Sequence, residues 1–145
     1  MTELDINKAM DAILSGIAEG LGWRVAFDNA SFKPENETYI KPSFMPATTW
    51  TASLQNKGRI YRGIYQVMII APTGTGSQQV RDRASQIVSS FEALMLPDGE
   101  AMVSGVKVGN EGHEAYLTSP GTIGAGFNSD YGYNIPITLN YRADS

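Results

Sequence analysis

From Leu4 to Leu21 the apolar residues Ile6, Ala9, Met10, Ile13, Leu14, Ile17 and Leu21 recur every three or four positions. That spacing gathers side chains on one face of a helix. Thr2 stands where an N-cap belongs, and Gly20 and Gly22 supply the stop. The period then shortens to two: Trp23, Val25 and Phe27 alternate as in a first strand. Residues 28–37 are polar and predict a loop, whereas 39–51 reads as extended. Pro42 and Pro46 each remove a ladder donor, which assigns that segment to a sheet edge.

Residues 61–71, YRGIYQVMIIA, carry β-branched and aromatic side chains on both faces toward their end and predict a central strand, stopped by Pro72. The turn Thr73-Gly74-Thr75-Gly76 leads into a second helix over 77–95, with Ser77 the expected cap. Val80, Ala84, Ile87, Val88, Phe91, Leu94 and Met95 form its apolar face, and Gln79, Arg81, Asp82, Arg83, Gln86 and Glu92 its outer one. Pro97-Asp98-Gly99 is a turn signal, after which 101–108 and 115–118 read as short extended pieces. In the last strand Tyr133, Ile135, Ile137, Leu139 and Tyr141 alternate with Asn134, Pro136, Thr138, Asn140 and Arg142, and Pro136 places it at an edge. The order of elements predicts a single α+β domain over 1–145: a mainly antiparallel mixed sheet with two helices packed on one face.

Charge changes this picture. Only 18% of the residues are charged, against about 25% in an ordinary soluble domain. The deficit is concentrated: 42–56 and 63–80 carry no charge, and 115–141 only Asp130. A chain of 145 residues exposes much of its surface, so long neutral stretches point to burial inside an assembly. Aromatic residues in and around these stretches, among them Trp50, Phe127, Tyr131, Tyr133 and Tyr141, fit contact surfaces. The net charge of -4 argues against a phosphate-gripping surface. The chain contains no cysteine, which excludes disulfides, thiolate metal sites and cysteine nucleophiles. The start of the sequence lacks the basic then apolar pattern of a signal peptide, and no apolar run is long enough to span a membrane, so neither export by that route nor a membrane partner is expected.

Candidate chemistry is sparse. The glycine turn before the second helix lacks the lysine of a phosphate-binding loop and the third glycine of a dinucleotide fingerprint, and reads as a tight connection. His113, the one histidine, stands in Glu111-Gly112-His113-Glu114, where a polar turn is the simpler reading than a metal site or a base. No serine lies in a nucleophile-elbow context. The expectation is therefore no catalytic, metal or cofactor site. A small enzyme or ligand-binding domain built on His113 and the glycine turn is the rival reading.

Tyr61-Arg62-Gly63-Ile64-Tyr65-Gln66-Val67, then Ala71-Pro72-Thr73-Gly74-Thr75-Gly76 and a helix of the form Ala84-x-x-Ile87-x-x-x-Phe91, resemble the tail terminator, or tail completion, proteins of long-tailed bacteriophages. The likeness lies in the order and spacing of elements along the whole chain. It implies a virion protein, assembled in the bacterial cytoplasm, that forms a hexameric ring at the head-proximal end of the tail. Such a ring caps the tail tube protein, stops its polymerisation and presents a surface to the head completion or connector protein. A head–tail joining or minor capsid protein is the alternative within that world. An acidic ring would let DNA pass through its lumen without specific binding. Trp50, Arg59, Arg62, Tyr65, Phe127 and Tyr131 are the expected interface residues.

Overall fold

The computed structural model describes residues 2–27, 37–47, 50–51 (backbone only), 58–74, 76–97, 105–108, 113–130 and 132–144. Among these, two helices and nine strands follow one another in chain order. They are α1 (Glu3–Leu21), β1 (Arg24–Val25), β2 (Tyr39–Pro46), β3 (Trp50–Thr51), β4 (Arg59–Ala71), α2 (Ser77–Met95), β5 (Val106–Val108), β6 (His113–Leu117), β7 (Thr122–Ile123), β8 (Phe127–Ser129) and β9 (Gly132–Asp144). The class is α+β, as the pattern predicts. The polar segment 28–36 and the turn at Asp98-Gly99 lie outside the described residues.

The sheet is organised around two strands of 13 residues each, β4 and β9, paired antiparallel from Ile60↔Asp144 to Ala71↔Tyr133. β2 joins the other side of β4, from Tyr39↔Ile70 to Pro46↔Gly63, and β1 adds a short parallel pair to β2. The far side of β9 is lined by three short strands in succession, β6 at its C-terminal end, β7 in the middle and β8 at its start. β5 pairs with β6.

The prolines are placed by their missing donors. The Ala26 amide donates to the Ile40 carbonyl across the outer side of β2. Even-numbered residues of β2 therefore point their backbone groups outward, and Pro42 and Pro46 interrupt only the open part of that edge. The expectation for β2 holds beyond its short pairing with β1. For Pro136 it fails: β9 is central, not an edge. The Gly124 amide donates to the Pro136 carbonyl at 2.8 Å, so the absent N–H of Pro136 faces 124–126, the interval between β7 and β8 where ladder pairing is broken. The strand keeps its centre by leaving a gap in its neighbours.

Both helices pack on the face formed by the odd-numbered residues of β4 and β9. Ile6, Met10, Leu14 and Ala18 of α1 and Val80, Ala84, Ile87, Val88, Phe91 and Met95 of α2 are buried with Tyr65, Val67, Ile69, Ile135, Ile137 and Leu139. Leu94, expected on this face, is instead 47% exposed. α1 opens with a reciprocal cap, the Asp5 amide donating to Thr2 Oγ1 and the Thr2 amide to Asp5 Oδ2, and ends at Gly22 in the left-handed region (φ 73°). α2 starts at Ser77, but its N-cap is Gly76 (φ 92°), with no side-chain cap.

Gly63 is fixed by a neighbour rather than by its own φ. The Tyr141 ring stacks on Phe44, centroids 5.3 Å apart, across a strand position where Gly63 carries no side chain. A Cβ there would stand 2.5 Å from the Met45 carbonyl oxygen and 2.7 Å from the Tyr141 hydroxyl. An aromatic thus fills the space that a strand glycine leaves. Gly63→Ala is expected to destabilise the fold by about 1–3 kcal/mol, because strand backbone must move to admit the methyl group; the midpoint of denaturant unfolding measures it.

Candidate assembly surface

The phase of the β4–β9 ladder decides what the second face of the sheet displays. Even-numbered positions of the two strands stand opposite each other there: Ile64↔Asn140, Gln66↔Thr138, Met68↔Pro136 and Ile70↔Asn134. β2 extends the row with Met45 beside Ile64, Ser43 beside Gln66 and Lys41 beside Met68, and β7 and β8 add Thr122 and Phe127. None of these residues belongs to the core shared with the helices; Ile70 joins Ala26, Tyr39 and Met68 in a small separate cluster. Among the described residues neither helix lies over this face. It is broad and half-buried; its β4 and β9 rows, Ile64 to Ile70 and Asn134 to Asn140, carry no charge, and the exposed Lys41 of β2 stands beside Met68. Such neutral rows cost little to desolvate against a partner.

At one margin a groove of about 350 Å³ is lined by Arg62, Ile64, Ala47, Thr118, Asn140 and Arg142. Arg62 and Arg142 are direct cross-strand neighbours, a like-charge pairing that costs stability unless screened. Asp144 relieves it with two bonds to Arg142, Nε to Oδ1 at 2.9 Å and a terminal nitrogen to Oδ2 at 3.3 Å. These bonds hold the Arg142 guanidinium above its ordinary pKa.

A second cleft, about 210 Å³, opens between α1 and the edge of β2 and is lined by Asn7, Asp11, Phe27, Pro42 and Phe44. Asp11 accepts a short bond, 2.5 Å, from the Tyr65 hydroxyl. Burial pushes the Asp11 carboxyl above the usual carboxylate range, and the bond from Tyr65 offsets part of that rise. The Tyr65 hydroxyl is driven far up, first by burial and then by the carboxylate it serves.

The six expected interface residues separate. Phe127 is 48% exposed on β8, at one end of the uncovered face, and Arg62 is exposed at the other end. Arg59 is exposed but falls on the opposite side of β4 by parity. Tyr65 is not a surface residue: it is fully buried beneath the helices, its ring 6.0 Å from that of Phe91. Its odd position in β4 dictates this. Trp50 is paired through its backbone with Ile60, while its side chain and Tyr131 lie outside the described residues. Tyr141, grouped with the contact aromatics by composition, is core as well. Asp11 escaped the sequence reading because it sits between Met10 and Ile13 and looks like a polar interruption of an apolar face.

His113 begins β6 opposite Val108 rather than occupying a turn, and Glu114 pairs with Lys107. Gly74 and Gly76 both adopt φ of 92°, which accounts for the glycine turn by backbone geometry alone. Among the described residues no group of three or more histidine or acidic side chains could hold a metal ion, and no helix is long and apolar enough to cross a membrane.

One sheet face is covered by the helices and the other, with its neutral β4 and β9 rows, is not; comparison with known proteins identifies the class. A family model described as phage tail terminator protein matches residues 5–141. The chain belongs to the phage tail terminator family and is a structural protein of phage tails. A solved structure that carries no functional description is similar over 99% of this chain and 96% of its own, with 25% identity and a TM-score of 0.75. No curated protein sequence matches.

Asp11 and Tyr65 yield a paired expectation. Tyr65→Phe is expected to destabilise the subunit by about 1.5–3 kcal/mol, since it leaves a desolvated carboxylate without its donor. Asp11→Asn retains an acceptor for Tyr65 and removes the charge. Because folding raises the Asp11 pKa, its ionisation opposes folding, and that penalty develops as pH rises through the raised value. Asp11→Asn is therefore expected to stabilise the subunit at pH 7, with the gain shrinking as pH falls toward the ordinary carboxylate value of 3.8. Urea unfolding across that range reads both variants.

Proposed function

We propose that this chain is a single-domain subunit of a ring, expected to be hexameric, that caps the tail tube, stops its polymerisation and forms the surface to which the head completion or connector protein attaches. The observation that carries the reading is the neutral double row of β4 and β9, Ile64 to Ile70 against Asn134 to Asn140, uncovered by either helix, in a member of the tail terminator family. A tube cap requires contacts on several sides of a small subunit, and such contacts favour surfaces free of unpaired charge. Sixfold repetition of a net charge of -4 makes the ring acidic, which lets DNA pass without sticking. Catalysis has no part in this role: His113 and the glycine turn serve the strand and the helix start. The ring sits at the head-proximal end of the tail and assembles in the host cytoplasm.

Deleting the gene and imaging the resulting particles tests the role. Overlong tail tubes are expected. Tails of normal length that fail to join heads would assign the chain to head–tail joining instead. Phe127→Asp probes the surface: the side chain is half exposed, so unfolding stability is expected to change by no more than about 0.5 kcal/mol. Incorporation of the variant into tails, read by blotting purified particles, is expected to fall at least tenfold.

A further inference from the structure

The cleft beside α1 holds the carboxylate of Asp11. Asp11 has one partner, the neutral Tyr65 hydroxyl, and no cation reaches it among the described residues. Around it stand two aromatic rings, Phe27 and Phe44, the ring of Pro42 and the amide of Asn7. This set suits an arginine: a carboxylate to accept from the guanidinium fork, aromatic faces to flank its plane, and an amide to accept a remaining N–H. The cleft also lies at the stretch of β2 where Pro42 and Pro46 prevent an added strand from completing its ladder, so a neighbour docks here by side chain rather than by backbone.

The subunit carries the complementary group on its other side. Val88 lies within contact reach of position 121, and Glu92 Oε1 accepts from the Gly121 amide at 3.1 Å, so this stripe of α2 faces the β7 side of the sheet. Arg81 is seven residues before Val88, two turns up the same stripe, and is exposed. It has no ion-pair partner among the described residues, and it stands in the first turns of a helix whose N-terminus carries positive partial charge. α1 contacts β1, β2 and β5, and α2 contacts β4, β6, β7 and β9. The cleft itself lies beside β2 and the stripe of Arg81 faces β7, so the two stand on opposite sides of the β4–β9 pair.

We propose that Arg81 of a second copy of this chain enters the cleft and pairs with Asp11, making a head-to-tail contact between adjacent subunits. Two different surfaces on opposite flanks give a heterologous interface, the type that closes into a ring. The inference rests on the ring reading above and assigns its lateral contact. Both groups lie on the helix side of the subunit, which leaves the uncovered sheet face to other tail components.

A double-mutant cycle on association decides it. Sedimentation equilibrium of the full chain is compared for wild type, Asp11→Asn, Arg81→Gln and the double variant, with urea unfolding to confirm that each subunit folds. Each single variant is expected to weaken self-association at least tenfold, and the double variant to associate no more weakly than the single ones. Wild-type association with unchanged association of the single variants, or losses that multiply in the double variant, overturns the pairing and leaves the ring reading standing. A wild-type chain that stays monomeric at every concentration overturns both.

Discussion

The long antiparallel pairing of β4 with β9 is the constraint from which the rest of the molecule follows. With Tyr65 opposite Leu139 and Gln66 opposite Thr138, the pairing fixes one set of side chains toward the helices and the alternate set away from them. A slip of one residue would turn Val67 and Ile69 outward and bring Gln66 into the core. The apolar rows of α1 and α2 fit only one phase, so burial and register select each other. Around this pair the remaining strands are fillers of edge and end: β2 on one side, and β6, β7 and β8 sharing the other.

Much of this was legible in the sequence, for reasons specific to each segment. The helices declared themselves through periodicity and, for α1, through Thr2 and Gly22 at its ends. The alternation in 133–141 names the inward row of β9, of which Ile135, Ile137, Leu139 and Tyr141 are buried. Pro136 misled because its cost was assessed on the strand alone; the compensation lies at 124–126, in a break between two other strands. Tyr65 misled because an aromatic in a neutral stretch has two physical explanations, core and contact, and only the parity of β4 against β9 separates them. The Asp11–Tyr65 bond spans 54 residues of sequence and joins a helix to a strand, which no local pattern encodes.

The charge deficit has a structural location. The strand part of the neutral run, 63–71, turns its odd residues to the core and its even residues to the uncovered face, while the even residues of β9 within 115–141 form the opposing row of that face. A monomer would gain solubility from charge at those positions, and the row Ile64, Gln66, Met68, Thr138 and Asn140 has none. In the proposed ring this neutrality is what tube and head partners require, since a buried charge without a partner costs several kcal/mol. In the proposal, Asp11 and Arg81 find opposite sign at the flanks of the helix layer.

The central claim is that the two faces of one sheet have different fates, one closed by the chain's own helices and the other by partners. The methionines report on it directly. Met45 and Met68 lie on the uncovered face, whereas Met10 and Met95 lie in the helix-side core. Hydroxyl-radical footprinting read by mass spectrometry compares the isolated subunit with assembled tails. The account expects Met45 and Met68 to be oxidised in the subunit and protected in tails, with Met10 and Met95 slow in both. Equal oxidation of Met45 and Met68 in the two states would contradict it.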